Sequence, residues 1–220
     1  MFSTFISSFS PPLNKKIEES LRIINLAYAK YQQNNCIFFN GGKDSTVLLD
    51  LVYKYHTGTK VGQKYPLKSF FLQSSDEYPE MNKYINDVKD YWKHDFQIIE
   101  TSSLKYGLSK IIDKYSIKGI FLGVRKSDPE GKNSHIFEPT SNGYPKAMRI
   151  LPLLNWDYKD VWSYIDKVKI PVCELYSKGY TSIGSPSTTQ PNPQLYDSIT
   201  KTYKHARELQ NDNLERIGRN

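Results

Sequence analysis

The chain has 220 residues, of which 38% are hydrophobic, so it is long enough to form a packed core in one domain of ordinary size. Its 30 Lys and Arg outnumber its 23 Asp and Glu, and the resulting formal charge of +7 suits a polyanionic partner such as a nucleotide. The basic residues are spread along the chain and form no blocks, so we expect no nucleic acid partner.

Cysteine usage and the N-terminus bear on the cellular compartment. Cys36 and Cys173 form no CxxC motif and accompany only four histidines, which argues against a disulfide framework and a zinc site. The N-terminal residues lack the early positive charge and the apolar core of a secretory signal, and no apolar run has the length of a membrane span. We therefore expect a cytoplasmic monomer that does not associate with membranes.

Predicted helices and strands alternate along the chain. Apolar residues at helical spacing between Ile17 and Tyr28 predict a first helix, which follows Pro11 and Pro12 and ends before Asn34. A short apolar run at residues 36–39, ended by glycines, predicts a buried strand, and an apolar stripe between Val47 and Tyr55 predicts the helix after it. The same patterns predict strands at 67–73, 96–101, 119–124 and 147–154, and helices at 79–92, 102–115 and 156–168.

This alternation predicts an α/β fold, in which an open, mostly parallel, twisted sheet of about five strands carries helices on both faces. We expect a single domain over residues 1–220, with a core at about 13–170 and a C-terminal extension at about 171–220 that contributes to the active site. The extension is irregular, and its charged tail at 205–220 is expected to be helical in part. The polar, Gly- and Pro-containing stretch at 124–145 is too long for a simple connection, and such loops often carry function.

The motif NGGKDST lies at the turn from the first strand to its helix, where ligands bind in open parallel sheets. Gly41 and Gly42 permit close approach of a ligand to the backbone, and Lys43 offers a point charge for phosphate oxygens. Asp44, Ser45 and Thr46 can cap the helix or bind phosphate and metal. The motif is neither a Walker A loop nor a GxGxxG fingerprint, so it predicts a different kind of phosphate cradle, with a tight structural turn as the alternative.

The motif FNGGKDS resembles the PP-loop of the adenine nucleotide alpha-hydrolase superfamily, whose members hold ATP and generally cleave between its α and β phosphates. Asn40, in place of the common Ser, is followed in order by SSDEYPE, GVRKSDP, CELYSKGYTSIG and ERIGR. Together these motifs resemble the eukaryotic FAD synthase family. The likeness runs with gaps from about Cys36 to Arg219, which is most of the chain.

This resemblance implies a nucleotide site. Arg125 would bind phosphate, Asp128 would take an active-site or metal-linked role, and the tail residues Arg216 and Arg219 would reach back to the substrate phosphates. The alternatives are an ion pair within the loop for Arg125 and Asp128, and solvated side chains for the two tail arginines. Glu77, after the second strand, lies where adenosine or its ribose would bind, although Pro79 nearby also fits a plain helix start. The residues implied to bind ATP phosphates are Asn40, Gly41, Gly42, Lys43, Asp44 and Ser45.

The flavin site departs from the family pattern. Family members usually carry TDxxWP before a strand containing MR, with the Asp and Trp facing the isoalloxazine, whereas this chain reads TSNGYP. Ser141 therefore replaces the Asp and supplies no charge, while Tyr144 replaces the Trp and can still stack on a flat ring. Trp156 and Trp162 fit the core better than a ligand platform, but Trp156 is kept as a candidate flavin contact.

The resemblance implies an FMN adenylyltransferase that converts FMN and ATP into FAD and pyrophosphate with Mg²⁺. Lys43, Asp44, Arg125, Asp128 and the two tail arginines are the candidate catalytic groups, with Asp128 as the candidate metal ligand. A sulfonucleotide reductase-like or ATP sulfurylase-like enzyme is one alternative, because both share the loop. The reductase chemistry usually requires a thiol in the C-terminal tail, and none follows Cys173. A non-catalytic nucleotide-binding module is the other alternative.

Overall fold

The structure, a computed structural model, describes residues 2–101 and 103–219. Its helices are α1 (Phe2–Ile6), α2 (Pro11–Tyr31), α3 (Lys43–Gly58), α4 (Lys60–Gln63), α5 (Pro79–Trp92), α6 (Leu104–Tyr115) and α7 (Tyr158–Val168). Its strands are β1 (Asn35–Phe39), β2 (Ser69–Gln73), β3 (Gln97–Glu100), β4 (Gly119–Phe121), β5 (Phe137–Pro139), β6 (Met148–Ile150), β7 (Tyr196–Asp197) and β8 (Thr202–Tyr203).

Six strands form one sheet in the order β3-β2-β1-β4-β6-β5. All neighbouring pairs are parallel except β5 and β6, which are antiparallel, so the predicted α/β fold with a mostly parallel sheet is confirmed. The sixth strand, β5, lies within residues 124–145, which the sequence predicts as loop. Its three residues are too few for a recognisable alternating pattern, and it exists because it pairs with β6.

The central strand β1 is buried on both faces, as its unbroken apolar run predicts. Cys36 and Phe38 pack into a cluster that includes Ile111 of α6. Ile37 and Phe39 point the other way, into the larger cluster that holds the apolar residues of α2, α3, α5 and α7. Helices therefore cover both faces of the sheet, as predicted, with α6 on the smaller side.

The strand order reverses direction between β1 and β4. From β1 the chain proceeds outward to β2 and β3, and α6 then returns it to β4 on the other side of β1, from which the sheet continues to β6. In open parallel sheets such a switch point opens a crevice at the carboxyl ends of the two strands. The NGGKDST motif follows β1 and the GVRKSDP motif follows β4, so both motifs meet at this crevice.

Two predictions about the second half of the chain are corrected. The predicted strand at 147–154 is limited to Met148–Ile150, because Pro152 cannot donate to a sheet. The tail contains no α-helix among its described residues: it has only single 3-10 turns at Ala206–Glu208 and Asp212–Leu214. Its segments are held by contacts with the rest of the protein rather than by helical hydrogen bonds.

The C-terminal extension packs onto the sheet domain. Leu195, Ala206 and Leu209 belong to the same hydrophobic cluster as α3 and α7. The Tyr158 hydroxyl of α7 donates a hydrogen bond of 2.7 Å to the Ala206 carbonyl, and the fully buried Asn192 donates to Thr181 and to the carbonyl of Leu214. None of the described helices is long and apolar enough to cross a membrane.

Candidate active site

The loop after β1 is shaped by a glycine in the left-handed region. Gly41 has φ of 73°, and a Cβ atom at this position would overlap the sulfur of Met81 in α5. A side chain here is therefore disfavoured both by backbone conformation and by space. Gly42 is the N-cap of α3 in extended conformation, so the helix starts directly beneath the loop.

The first turn of α3 offers N–H groups to a ligand. The Gly42 N–H donates to Oδ1 of Asn40 at 3.0 Å, and the Lys43 N–H donates to the Tyr176 hydroxyl at 2.6 Å. No hydrogen bond from the N–H of Asp44 or Ser45 to another described residue is present. A helix N-terminus with unpaired N–H groups favours an anion, and this one faces the crevice at the switch point.

Behind the loop lies a buried cluster of charges. The Lys43 ammonium, 2% exposed, contacts Oε1 of Glu215 at 2.5 Å and Oδ2 of Asp44 at 3.0 Å. The Arg125 guanidinium is fully buried, and its Nη2 contacts both carboxylate oxygens of Glu215 at 2.6 Å while its Nε lies 2.6 Å from Oδ1 of Asp44. We call Lys43, Asp44, Arg125 and Glu215 the ion cluster.

The ion cluster perturbs the acidity of its members. Burial alone raises the pKa of the Asp44 carboxyl, but the charges of Arg125 and Lys43 outweigh it and hold that pKa below its ordinary value. Burial disfavours the charged form of Arg125, yet the carboxylates of Asp44 and Glu215 raise the pKa of its guanidinium. Asp44 and Arg125 are therefore both charged near neutral pH.

Asp128 lies at the edge of this cluster. Its Oδ2 accepts a hydrogen bond from the Arg125 N–H at 2.9 Å, and burial raises the pKa of its carboxyl. Arg216 approaches its Oδ1 from the tail at 3.4 Å. The described residues contain no group of three or more His, Cys, Asp or Glu that could hold a metal ion, so the assignment of Asp128 as a metal ligand stays a prediction.

The two tail arginines come together through a turn rather than a helix. The Arg219 N–H donates to the Arg216 carbonyl at 2.9 Å, and Arg219 forms a β-bridge with Thr189. Nη1 of Arg219 donates to Oγ of Ser182 at 3.3 Å, while its buried Nε has no hydrogen-bond partner among the described residues. Burial and the nearby charge of Arg216 lower the pKa of Arg219, so an anion bound here would be stabilised.

Glu77 lies after β2, on the other side of the crevice from β4. Burial raises the pKa of its carboxyl. The adjacent Tyr78 donates a hydrogen bond of 2.9 Å to the Thr189 carbonyl and meets Tyr180 edge to face, which joins this segment to the extension. Glu77 thus lies in a segment that contacts the extension, and its position beside adenosine stays a prediction.

The candidate flavin residues lie apart from the ion cluster. Tyr144 lines a cleft of about 720 Å³ between α6 and the connection from β5 to β6, and Ser141 is exposed in the same connection. Ser103 and Lys105, at the start of α6, line this cleft as well, so it runs toward the carboxyl end of the sheet.

Trp156 is not a flavin platform in this structure. It is 2% exposed, its indole N–H donates to Oγ of Ser20 at 3.0 Å, and its ring meets Tyr164 edge to face. These contacts place it in the core between α2 and α7 and leave no ring face open to a ligand. The candidate role of Trp156 in flavin binding is therefore wrong, and its core role is confirmed.

Two residues of the site were missed by sequence reasoning. They are Glu215, which lies in ERIGR, and Tyr176, which lies in CELYSKGYTSIG. Their signal in the sequence is their place inside two of the motifs that carry the family resemblance. Their partners cannot be read from the chain, because Glu215 contacts Lys43 across 172 residues and Tyr176 contacts it across 133.

Comparisons with known proteins agree with this fold and loop. The model of the phosphoadenosine phosphosulfate reductase domain matches residues 34–107 and 104–191. A probable FAD synthase of Schizosaccharomyces pombe is 36% identical over 216 residues, covering 94% of this chain and 80% of that protein. A probable FAD synthase of Caenorhabditis elegans is 34% identical over 212 residues. The match covers 93% of this chain and 40% of that protein.

Among solved structures, the FMN adenylyltransferase of Candida glabrata in complex with ATP has the same fold. The superposition has a TM-score of 0.84 and covers 95% of this chain and 88% of that one, at 22% sequence identity. At this identity the match shows the fold alone.

Proposed function

The chain belongs to the phosphoadenosine phosphosulfate reductase domain family and, within it, to the FAD synthase family, and on that premise we propose that it is an FMN adenylyltransferase. It transfers the adenylyl group of ATP to the phosphate of FMN and releases pyrophosphate, so that FAD is formed. The proposal rests on its relatives for the reaction and on the geometry of the loop after β1 for the site.

The observation that carries the proposal is the meeting of two anion-binding features at one crevice. The first turn of α3 presents the N–H groups of Asp44 and Ser45, and the tail brings Arg216 and Arg219 to the same side of the sheet. The N–H groups and the arginines together can bind the several negative charges of a nucleoside triphosphate. Main-chain donors and guanidinium groups are the groups that proteins use to bind phosphates.

The reaction needs positioning more than proton transfer. The second pKa of a phosphate monoester is about 6, so the attacking FMN phosphate is already ionised near neutral pH. No general base is required, and the protein has to align the FMN phosphate with the α-phosphorus of ATP and stabilise charge on the departing pyrophosphate. Arg216 and Arg219 would serve that stabilisation, and each such donor is typically worth about 10²-fold in rate.

Mg²⁺ fits this site only together with the nucleotide. Since the described residues form no group of three metal ligands, the ion would take ligands from the ATP phosphates and from at most one or two carboxylates, of which Asp128 is the candidate. When bound, Mg²⁺ would neutralise charge on the phosphates. Asp128 keeps the Arg125 backbone N–H and the Arg216 side chain in place in either case.

The two ends of the dinucleotide would lie on opposite sides of the crevice. Adenosine would bind near Glu77, beside the loop, and the flavin would extend into the cleft along α6 where Tyr144 can stack on its ring. Ser141, in the same connection as Tyr144, stands where the family has Asp, so a carboxylate at that position would not contribute to flavin binding.

A sulfonucleotide reductase is not favoured, because no accessible thiol is present. Both cysteines are buried; burial raises the pKa of the Cys173 thiol to about 11 and that of Cys36 further still. A thiol that remains protonated is a poor nucleophile.

The test is a product analysis with purified protein. We expect FAD and pyrophosphate in equal amounts from ATP, Mg²⁺ and FMN, and no pyrophosphate when FMN is omitted. Adenosine phosphosulfate with a dithiol reductant serves as the competing reaction. Release of sulfite without FAD formation would contradict the proposal, and so would nucleotide binding without any product.

A further inference from the structure

The carboxylate of Glu215 lies between the two buried cations of the ion cluster, Lys43 and Arg125. It contacts the Lys43 ammonium at 2.5 Å and accepts two hydrogen bonds from Nη2 of Arg125, each 2.6 Å long. Its own backbone carbonyl accepts a hydrogen bond of 2.6 Å from the Thr181 hydroxyl. Glu215 therefore joins the loop after β1, the loop after β4 and the extension at one point.

The Lys43 side chain faces this point and not the crevice. Its ammonium donates to Glu215, Asp44 and the carbonyl of Thr181, and it lies 5.0 Å from the centre of the Tyr158 ring. With 2% of the side chain exposed, it has no free direction toward a ligand in the crevice. The predicted contact of Lys43 with ATP phosphates would require its ammonium to leave Glu215, Asp44 and the Thr181 carbonyl.

We infer that Glu215 is a positioning residue: it anchors the C-terminal tail to Lys43 and Arg125 and thereby holds Arg216 and Arg219 at the nucleotide crevice. In this arrangement Lys43 acts through Glu215, and the phosphates are bound by main-chain N–H groups and the tail arginines. The inference deepens the proposed function and rests on it for the identity of the substrates. According to this inference, the Lys43 side chain holds the tail and does not bind phosphate.

The charges of the ion cluster balance, which supports a stable attachment of the tail. We call the attachment of Glu215 to Lys43 and Arg125 the clasp. Two cations, Lys43 and Arg125, face two carboxylates, Asp44 and Glu215, and only the Asp44 side chain is exposed by more than a tenth. Removal of one partner leaves an unpaired buried charge, whereas removal of one cation together with one anion restores the balance. The cluster is thus coupled, and its members should not act independently.

The decisive experiment is a double-mutant cycle of Lys43→Met and Glu215→Gln, read by kcat and KM for ATP and FMN. We expect each single variant to lower kcat about 10- to 100-fold, with a smaller change in KM for ATP, because misplaced tail arginines impair the reaction more than binding. The double variant should be no slower than the slower single variant. Glu174→Gln is the matched control, because it breaks an exposed Lys–Glu pair with Lys178 at 3.0 Å and should leave kcat unchanged.

Two results would overturn the inference. If Lys43 contacts phosphate directly, the losses of the two single variants multiply in the double variant. If Glu215 instead competes with phosphate for the cations, Glu215→Gln lowers the KM for ATP.

Hydrogen exchange measures the position of the tail without any turnover. In the wild type the Gln190 N–H donates to the Gly218 carbonyl and the Arg219 N–H to Arg216. We expect exchange at these amides to be at least about tenfold faster in Glu215→Gln, and unchanged in Glu174→Gln. Unchanged protection in Glu215→Gln would refute the clasp even if the wild type made no FAD, so failure of the proposed function and failure of this inference remain distinguishable.

Discussion

The backbone N–H of Lys43 donates a hydrogen bond of 2.6 Å to the hydroxyl of Tyr176, which lies 133 residues later in the chain. Tyr176 is fully buried beside the loop, so this hydroxyl fixes the first turn of α3 against the extension. The contact removes one of the free N–H groups of the helix start and leaves those of Asp44 and Ser45 for a ligand.

Tyr176→Phe should therefore destabilise the protein and loosen the loop. A buried N–H without an acceptor costs about 1–3 kcal/mol, which a urea unfolding curve would detect, and the KM for ATP should rise. Tyr115→Phe is the matched control, because it removes an exposed hydroxyl that donates to Gln97. Equal unfolding free energies for the two variants would show that the Tyr176 hydroxyl does not support the loop.

Gly41→Ala should damage the loop through both strain and overlap. The left-handed conformation costs a residue with a Cβ about 1–2 kcal/mol, and the added methyl overlaps Met81. Gly143→Ala has φ of 84° but only the Lys105 amine at 3.6 Å from its Cβ, so it carries the strain alone. We expect Gly41→Ala to lose more unfolding free energy than Gly143→Ala, and to lose less when Met81→Ala is present. A cost that is independent of residue 81 would mean that overlap is unimportant.

Arg216→Gln should reduce the rate and spare the fold. Its side chain is 34% exposed and makes one long contact with Asp128, so the unfolding free energy should change little. The kcat/KM of FAD formation should fall about 10²-fold through loss of a phosphate donor. Arg207→Gln, in the same tail and paired with Asp166 at the surface, should retain wild-type rates. Equal rates in both variants would remove Arg216 from the site.

Tyr144→Ala tests the cleft along α6. Loss of ring stacking, worth about 0.5–1.5 kcal/mol, should raise the KM for FMN by a factor of about 2 to 10 and leave the KM for ATP unchanged. Tyr196→Ala, an exposed tyrosine in the β7–β8 hairpin, is the control. A parallel rise in both KM values would place the flavin elsewhere.

Stability should fall as the pH drops from about 7.5 to 5.5. Burial, and then the charge of His56, lower the pKa of His94 below its ordinary value of 6.5. The unfolded state therefore binds more protons than the native state in this range, so the stability present above pH 6.5 is lost as the pH falls toward the native pKa. His94→Gln should reduce this slope in unfolding measurements. An NMR titration of His94 with a midpoint above 6.5 would contradict the assignment.

Much of the fold can be predicted from local sequence patterns. Continuous apolar runs mark β1 and β2 because strands buried on both faces need apolar residues throughout. Helical spacing marks α5, which buries one stripe, whereas the first turns of α3 are buried on all sides. The loop after β1 follows from its two glycines at a strand-to-helix turn. Three-residue strands such as β5 carry no comparable pattern, since their existence depends on a partner.

In the candidate site, too, some features follow from local sequence and others depend on packing between distant residues. The position of NGGKDST at the end of β1 was determined by the sequence alone, because the glycines, the helix start and the strand are neighbours in the chain. The direction of the Lys43 side chain was decided by tertiary structure, because its partner Glu215 lies 172 residues away and only packing of the extension brings the two charges together. The role of Trp156 was also decided by tertiary structure. The sequence leaves its ring free to stack on flavin, but packing against α2 buries that ring.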